Sequence, residues 1–150
     1  MATGKVTVHD VAAYILKQCG SMTTMKLQKL AYYCQAWSLV WDEEPMFPES
    51  IEAWASGPVV PALYELHKGK FKISVWPKGN PDKINHEAKD TANAVIKHYG
   101  PRPSQWLSDL THMEEPWRKA REGIAEGERG YQEISHASMH EYYSGLCKHG

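Results

Sequence analysis

The chain has 150 residues, of which 42% are hydrophobic and 23% charged, and its formal net charge is −1. That length fits one domain spanning 1–150 with a real core, and that balance excludes a disordered chain. A near-zero charge also argues against a general nucleic-acid binder, which normally carries a basic surplus.

Charge is unevenly spread, at +3 over residues 1–41, −6 over 42–66, +4 over 67–100 and −2 over 101–150. Sequence blocks need not be surface patches, so this reads first as a patchy solvated surface and second as a face able to steer a charged partner. Three cysteines, Cys19, Cys34 and Cys147, are far apart and show no paired spacing. They imply reduced thiols in a cytosol and neither a disulfide scaffold nor a zinc ribbon. The start of the chain lacks a basic-then-apolar leader, and no apolar run approaches the ~20 residues of a membrane span. A cytoplasmic protein is expected. Six Trp and eight Tyr against two Phe favour half-buried positions, in a core or at an interface.

In chain order, Thr7 and Asp10 resemble a capping box opening a helix over 8–18, closed by Gly20-Ser21. Thr23 or Thr24 caps a second helix to Trp41, with Leu27, Leu30, Ala31, Cys34, Trp37 and Trp41 on one apolar face. A small β element is expected near 47–56 or 70–77, with Gly57-Pro58 as a turn. Pro61 suits the first turn of a helix over 60–68, and Asp82 is placed to cap a helix running to Tyr99. Ser104 caps a short helix bearing Trp106, Leu107 and Leu110. Thr111 and Glu114 have capping-box spacing, Pro116 opens a helix over 117–122, and 135–146 form a last helix. The expected fold class is mainly α, a compact domain of six or seven helices.

Few groupings suggest chemistry. His136 and His140 stand at i and i+4, but no third ligand is marked by spacing, and a solvated helix face is the better reading. His112 beside Glu114 could serve acid–base catalysis in a hydrolase-like enzyme, yet no nucleophile, metal cluster or phosphate loop accompanies them. Residues 8–41 have the outline of a helix-turn-helix whose second helix opens on Lys26, Gln28 and Lys29, an autoregulatory DNA-binding reading that the Trp- and Tyr-rich helix and the neutral charge oppose. No cofactor or metal is called for.

Three runs taken together carry a resemblance. Residues 25–37, MKLQKLAYYCQAW, residues 51–64, IEAWASGPVVPALY, and residues 107–117, LSDLTHMEEPW, occur in order across roughly 8–143. They resemble the successive signatures of the Panacea-domain, SocA-like antitoxin family of bacteria and their phages. The resemblance implies a non-catalytic antitoxin that binds a cognate toxin protein encoded by an adjacent gene, either occluding it or delivering it to a protease. It leaves the toxin's class and the oligomeric state open. On this reading Lys26, Gln28, Lys29 and Tyr32 line a contact face, and Trp54, Gly57 and Pro58 build a rigid turn beside it. Lys26, Gln28 and His112 take exposed or polar-network roles, Glu114 is a further motif or toxin-binding residue, and Trp117 plugs the core. Leu27, Leu30, Trp37, Trp54 and Trp117 are read as core before interface.

Overall fold

A computed structural model describes residues 5–149, with side chains through Leu146. Seven α-helices and two small two-stranded sheets make up its regular structure among the described residues, as the mainly α expectation required. Helix α1 (Val8–Cys19) opens on the expected capping box. The Thr7 hydroxyl accepts from the His9 backbone N–H, and the Asp10 carboxylate accepts from that of Thr7. Strand β1 (Met22–Thr23) leads into α2 (Thr24–Trp41), where the Thr23 hydroxyl accepts from the Lys26 N–H. The chain leaves α2 at Asp42, and Glu43 takes a left-handed φ of 58° in the break that follows.

Strands β2 (Glu52–Trp54) and β3 (Gly57–Val59) form a hairpin with Ala53 opposite Pro58. The turn is Ala55-Ser56; Gly57 and Pro58 do not form it but belong to β3. Residues 132–134 add a third line to this hairpin, because Ala53 N–H donates to the Gln132 carbonyl and Ile134 N–H to that of Ile51, each at 2.8 Å. Helix α3 (Pro61–His67) begins at its proline as expected, and β4 (Lys72–Ile73) runs antiparallel to β1.

Asp82 does not cap the next helix. It lies in a 3-10 turn, Pro81–Lys83, where the Asn80 side chain accepts its N–H. The backbone then extends at Ile84, whose side chain is buried, and α4 (His86–Tyr99) starts under an Asn85 cap. Helix α5 (Ser104–Met113) includes Ser104 and does not use it as a cap; the Ser104 hydroxyl meets that of Thr23. Thr111 and Glu114 form no capping box. Thr111 is inside α5 and bonds the Ser108 carbonyl, while Glu114 is the extended residue before α6 (Glu115–Ala120), with its carboxylate turned into the core. Helix α7 (His136–His149) closes the described chain.

Helix α2 is the axis. It packs against α1, α4, α5, α7 and β3. Being covered on most sides, it buries polar residues together with apolar ones: Gln28, Lys29, Gln35 and Ser38 are as inaccessible as Leu27 and Leu30. Trp41, placed on the apolar face by spacing, is instead half-exposed at the helix end, where it stacks on Trp37.

Gln35 explains why a polar side chain is tolerated there. Its Oε1 accepts from the Met46 and Phe47 N–H groups at 2.7 and 3.2 Å, and its Nε2 donates to the Phe47 carbonyl at 2.8 Å. It thus holds a turnless crossing segment that has no ladder of its own. Replacing Gln35 by Leu leaves buried backbone groups unpaired at ~1–3 kcal/mol each. Urea denaturation of Gln35→Leu should therefore show a loss of roughly 3 kcal/mol or more, with Gln35→Glu milder at low pH.

Candidate functional site

The residues singled out from the motifs fall into an internal frame and a smaller exposed face. Gln28 grips Val60 at both ends: Oε1 accepts the Val60 N–H at 2.8 Å, Nε2 donates to its carbonyl at 3.2 Å, and Nε2 also lies 3.0 Å from His67 Nε2. Lys29 is fully buried, and its Nζ donates to the Pro58 carbonyl at 3.4 Å. A Cβ on Gly57, whose φ is 118°, would lie 2.8 Å from Lys29 Cε and 3.2 Å from Thr111 Oγ1, so only glycine fits where β3 crosses α2. Tyr32 is buried, with its hydroxyl 3.1 Å from that of Tyr143. Gln28, Lys29 and Tyr32 therefore do not line a contact face, because their polar atoms secure β3, α3 and α7 from within. Lys26 alone of that group is part-exposed, and its Nζ donates to the Gly100 carbonyl.

Glu114 sits among tyrosines. Its Oε1 accepts from Tyr33 and Tyr143 hydroxyls, both at 2.7 Å. Burial raises its pKa, opposed by those two hydrogen bonds. His112 is part-buried and stacks on Trp117 with ring centres 4.1 Å apart. Burial lowers its pKa, so the neutral ring is favoured, and its Nε2 has no hydrogen-bond partner. His112 and Glu114 share no hydrogen bond, so the acid–base pair read from their spacing is not assembled. His136 and His140 are exposed, and among the described residues no group of three or more His, Cys, Asp or Glu is placed to hold a metal.

Trp117 is half-buried and donates from Nε1 to the Trp54 carbonyl at 2.8 Å. Trp54 is held at its own Nε1 by Glu52 and projects from β2 toward the surface. There it meets Tyr64 of α3 and Tyr131, at ring-centre distances of 5.0 and 6.0 Å, both edge to face. These rings, with Ala55, Ser56, Arg129 and Gly130, line an open recess of about 380 Å³.

Tyr131 and Arg129 lie between α6 and α7, in a stretch to which the sequence assigned neither an element nor a role. Arg121 holds that stretch down. Its buried guanidinium donates to the carbonyls of Ala53 at 2.9 Å, of Ala125 and of Glu128, and lies over the Trp117 ring. Gly130 passes so close that a Cβ would meet Arg121 Nη1 at 3.0 Å and Ile124 Cδ1 at 2.8 Å. A buried arginine gives no periodic signal in the sequence.

The arrangement is a small helical domain with an aromatic recess on one face, and His112 and Glu114 are not assembled as a catalytic pair. The family model described as antitoxin SocA-like, Panacea domain, matches residues 27–118, and the chain belongs to this family. No curated protein and no solved structure matches the chain. No helix among the described residues is long and apolar enough to cross a membrane.

Two buried charges make opposite predictions with pH. The folded-state pKa of Lys29 is lowered by burial to about 8 from 10.5. Its stabilising contribution is complete above the unfolded value and is lost as pH falls through about 8. Lys29→Met should therefore gain on the wild type by about 2 kcal/mol between pH 10 and pH 8, read from paired urea midpoints. Glu114 has a raised folded pKa, so its contribution is complete below 4.5 and is lost as pH rises through the raised value. Glu114→Gln keeps an oxygen for both tyrosines and should match or exceed wild-type stability at pH 7, with the difference closing on acidification. Glu114→Leu, which strands the hydroxyls, should lose ~1–3 kcal/mol at either pH.

Proposed function

We propose that the protein is an antitoxin that neutralises a cognate toxin protein by direct binding, and that the recess between Trp54, Tyr64 and Tyr131 is the anchoring contact. Family membership supports the antitoxin role. The recess carries the rest: it is where a motif aromatic, Trp54, reaches the surface beside an exposed Tyr131 in a preformed hollow. Trp and Tyr in well-packed pockets dominate binding energies, and a recess fixed before binding loses little entropy on association. The toxin is expected to be the product of an adjacent gene, met in the cytoplasm. Occlusion of its active site or its delivery to a protease both begin with this contact.

Two other readings are weaker on geometry. Catalysis through His112 and Glu114 lacks a link between them, since the carboxylate is taken by Tyr33 and Tyr143. Base reading by the start of α2 lacks Gln28 and Lys29, which are buried.

Co-expression with the neighbouring gene product tests the proposal. The wild type should restore growth. Tyr131→Ala, at an exposed position, should fold normally yet bind ~10–100-fold more weakly, in line with truncation of an interface anchor. A neighbour that is harmless alone, or that stays lethal beside the wild type, would sink the antitoxin reading. Full protection by Tyr131→Ala and Trp54→Ala would remove the recess from it.

A further inference from the structure

The segment after α3 carries lysines and two exposed apolar side chains that neither the fold nor the recess uses. Residues 68–80 contain Lys68, Lys70, Lys72 and Lys78 and no acid. Lys68 pairs with Glu65 at 3.1 Å, whereas Lys70, Lys72 and Lys78 have no carboxylate within reach among the described residues. Between them stand Phe71 and Val75, which are 76% and 74% exposed. They are the two most exposed large apolar side chains described, and they lie four residues apart.

This exposure is built in. The Thr24 N–H donates to the Phe71 carbonyl at 2.9 Å, and its hydroxyl donates to that of Lys70 at 3.1 Å. Ile73 and Trp76 are buried, and Trp76 Nε1 donates to His9 Nδ1 at 3.1 Å. With the backbone pinned at 70–71 and side chains anchored at 73 and 76, Phe71 and Val75 are left facing water among the lysines.

We propose that this finger, residues 68–78, is a second docking surface that seats on an acidic protein surface carrying an apolar recess for Phe71. The inference rests on the reading above, that the chain works by binding a protein. Charge complementarity selects the partner, since a row of lysines free of internal carboxylates favours an acidic face and speeds its encounter. A single aromatic offers no stacking series for a nucleic-acid strand, and Val75 offers no stacking at all. Two apolar side chains are far fewer than a membrane-surface helix inserts. The finger also follows α3 directly, and Tyr64 of the recess stands one turn before Lys68, so one partner can engage both.

The test measures binding of the purified neighbouring gene product by calorimetry across a salt series. Wild-type affinity should fall with salt. K70E/K72E should bind ~10–100-fold more weakly with a flattened salt dependence, and Phe71→Ser ~10-fold more weakly with the salt dependence kept. All these positions are exposed, and unchanged melting confirms the fold. If both variants bind like the wild type while Tyr131→Ala fails, the finger is idle and the proposed function stands. If a homopolymeric RNA or phosphatidylserine vesicles bind the wild type and lose K70E/K72E, while the protein partner does not, the finger serves another class of ligand and the inference is overturned. If the wild type does not bind the product at all, the proposed function falls and this inference falls with it.

Discussion

Everything else in the molecule depends on α2 being buried on nearly all sides while short, irregular segments cross it. Those segments have too few strand partners to satisfy their own backbone groups, and a buried unpaired N–H or carbonyl is costly. The helix answers with long polar side chains. Gln28 holds Val60 by both backbone groups, Gln35 holds Met46 and Phe47, and Lys29 reaches the Pro58 carbonyl. Each side chain stands in for a missing strand. The burial of a lysine without a carboxylate follows from the same constraint, since only a long stem with a terminal donor reaches the carbonyl past Gly57.

This exchange decided what the sequence could disclose. Ends of helices written in local chemistry were legible: the Thr7–Asp10 box, the Thr23 cap and the prolines opening α3 and α6 all act within a turn of themselves. The inward direction of Gln28, Lys29 and Tyr32 was not. Polar residues on a helix ordinarily mark its solvent face, and nothing in a linear pattern says that a polar side chain is paired with a backbone group some thirty residues away. Asp82 was misplaced for a related reason. Its capping chemistry is sound, but Ile84 is buried on an extended backbone, so the helix starts three residues later and Asn85 caps in its stead.

The same logic separates framework from binding face. Trp117 and Arg121 form a relay onto β2: an indole N–H to the Trp54 carbonyl, a guanidinium to that of Ala53, and the same guanidinium over the Trp117 ring. Its outcome is external, because the relay holds the residues 125–131 stretch against β2 and sets Tyr131 across from Trp54. The recess is therefore preformed, and under the proposed function a partner need not order it on arrival.

The family match covers only part of the aromatic recess. The match ends at residue 118, yet Arg129 and Tyr131, two of the lining residues, lie beyond it. Within the match, the residues that hold the fold are those whose polar atoms point inward. Phe71, Val75 and the free lysines make no side-chain hydrogen bond that the core requires. A substitution at Gln28 or Gly57 disturbs the crossing of β3 over α2, and with it the whole domain. A substitution at Phe71, Lys72 or Tyr131 falls on an exposed side chain and leaves that crossing untouched. A frame this demanding inside and this permissive outside lets the exposed residues change without cost to folding.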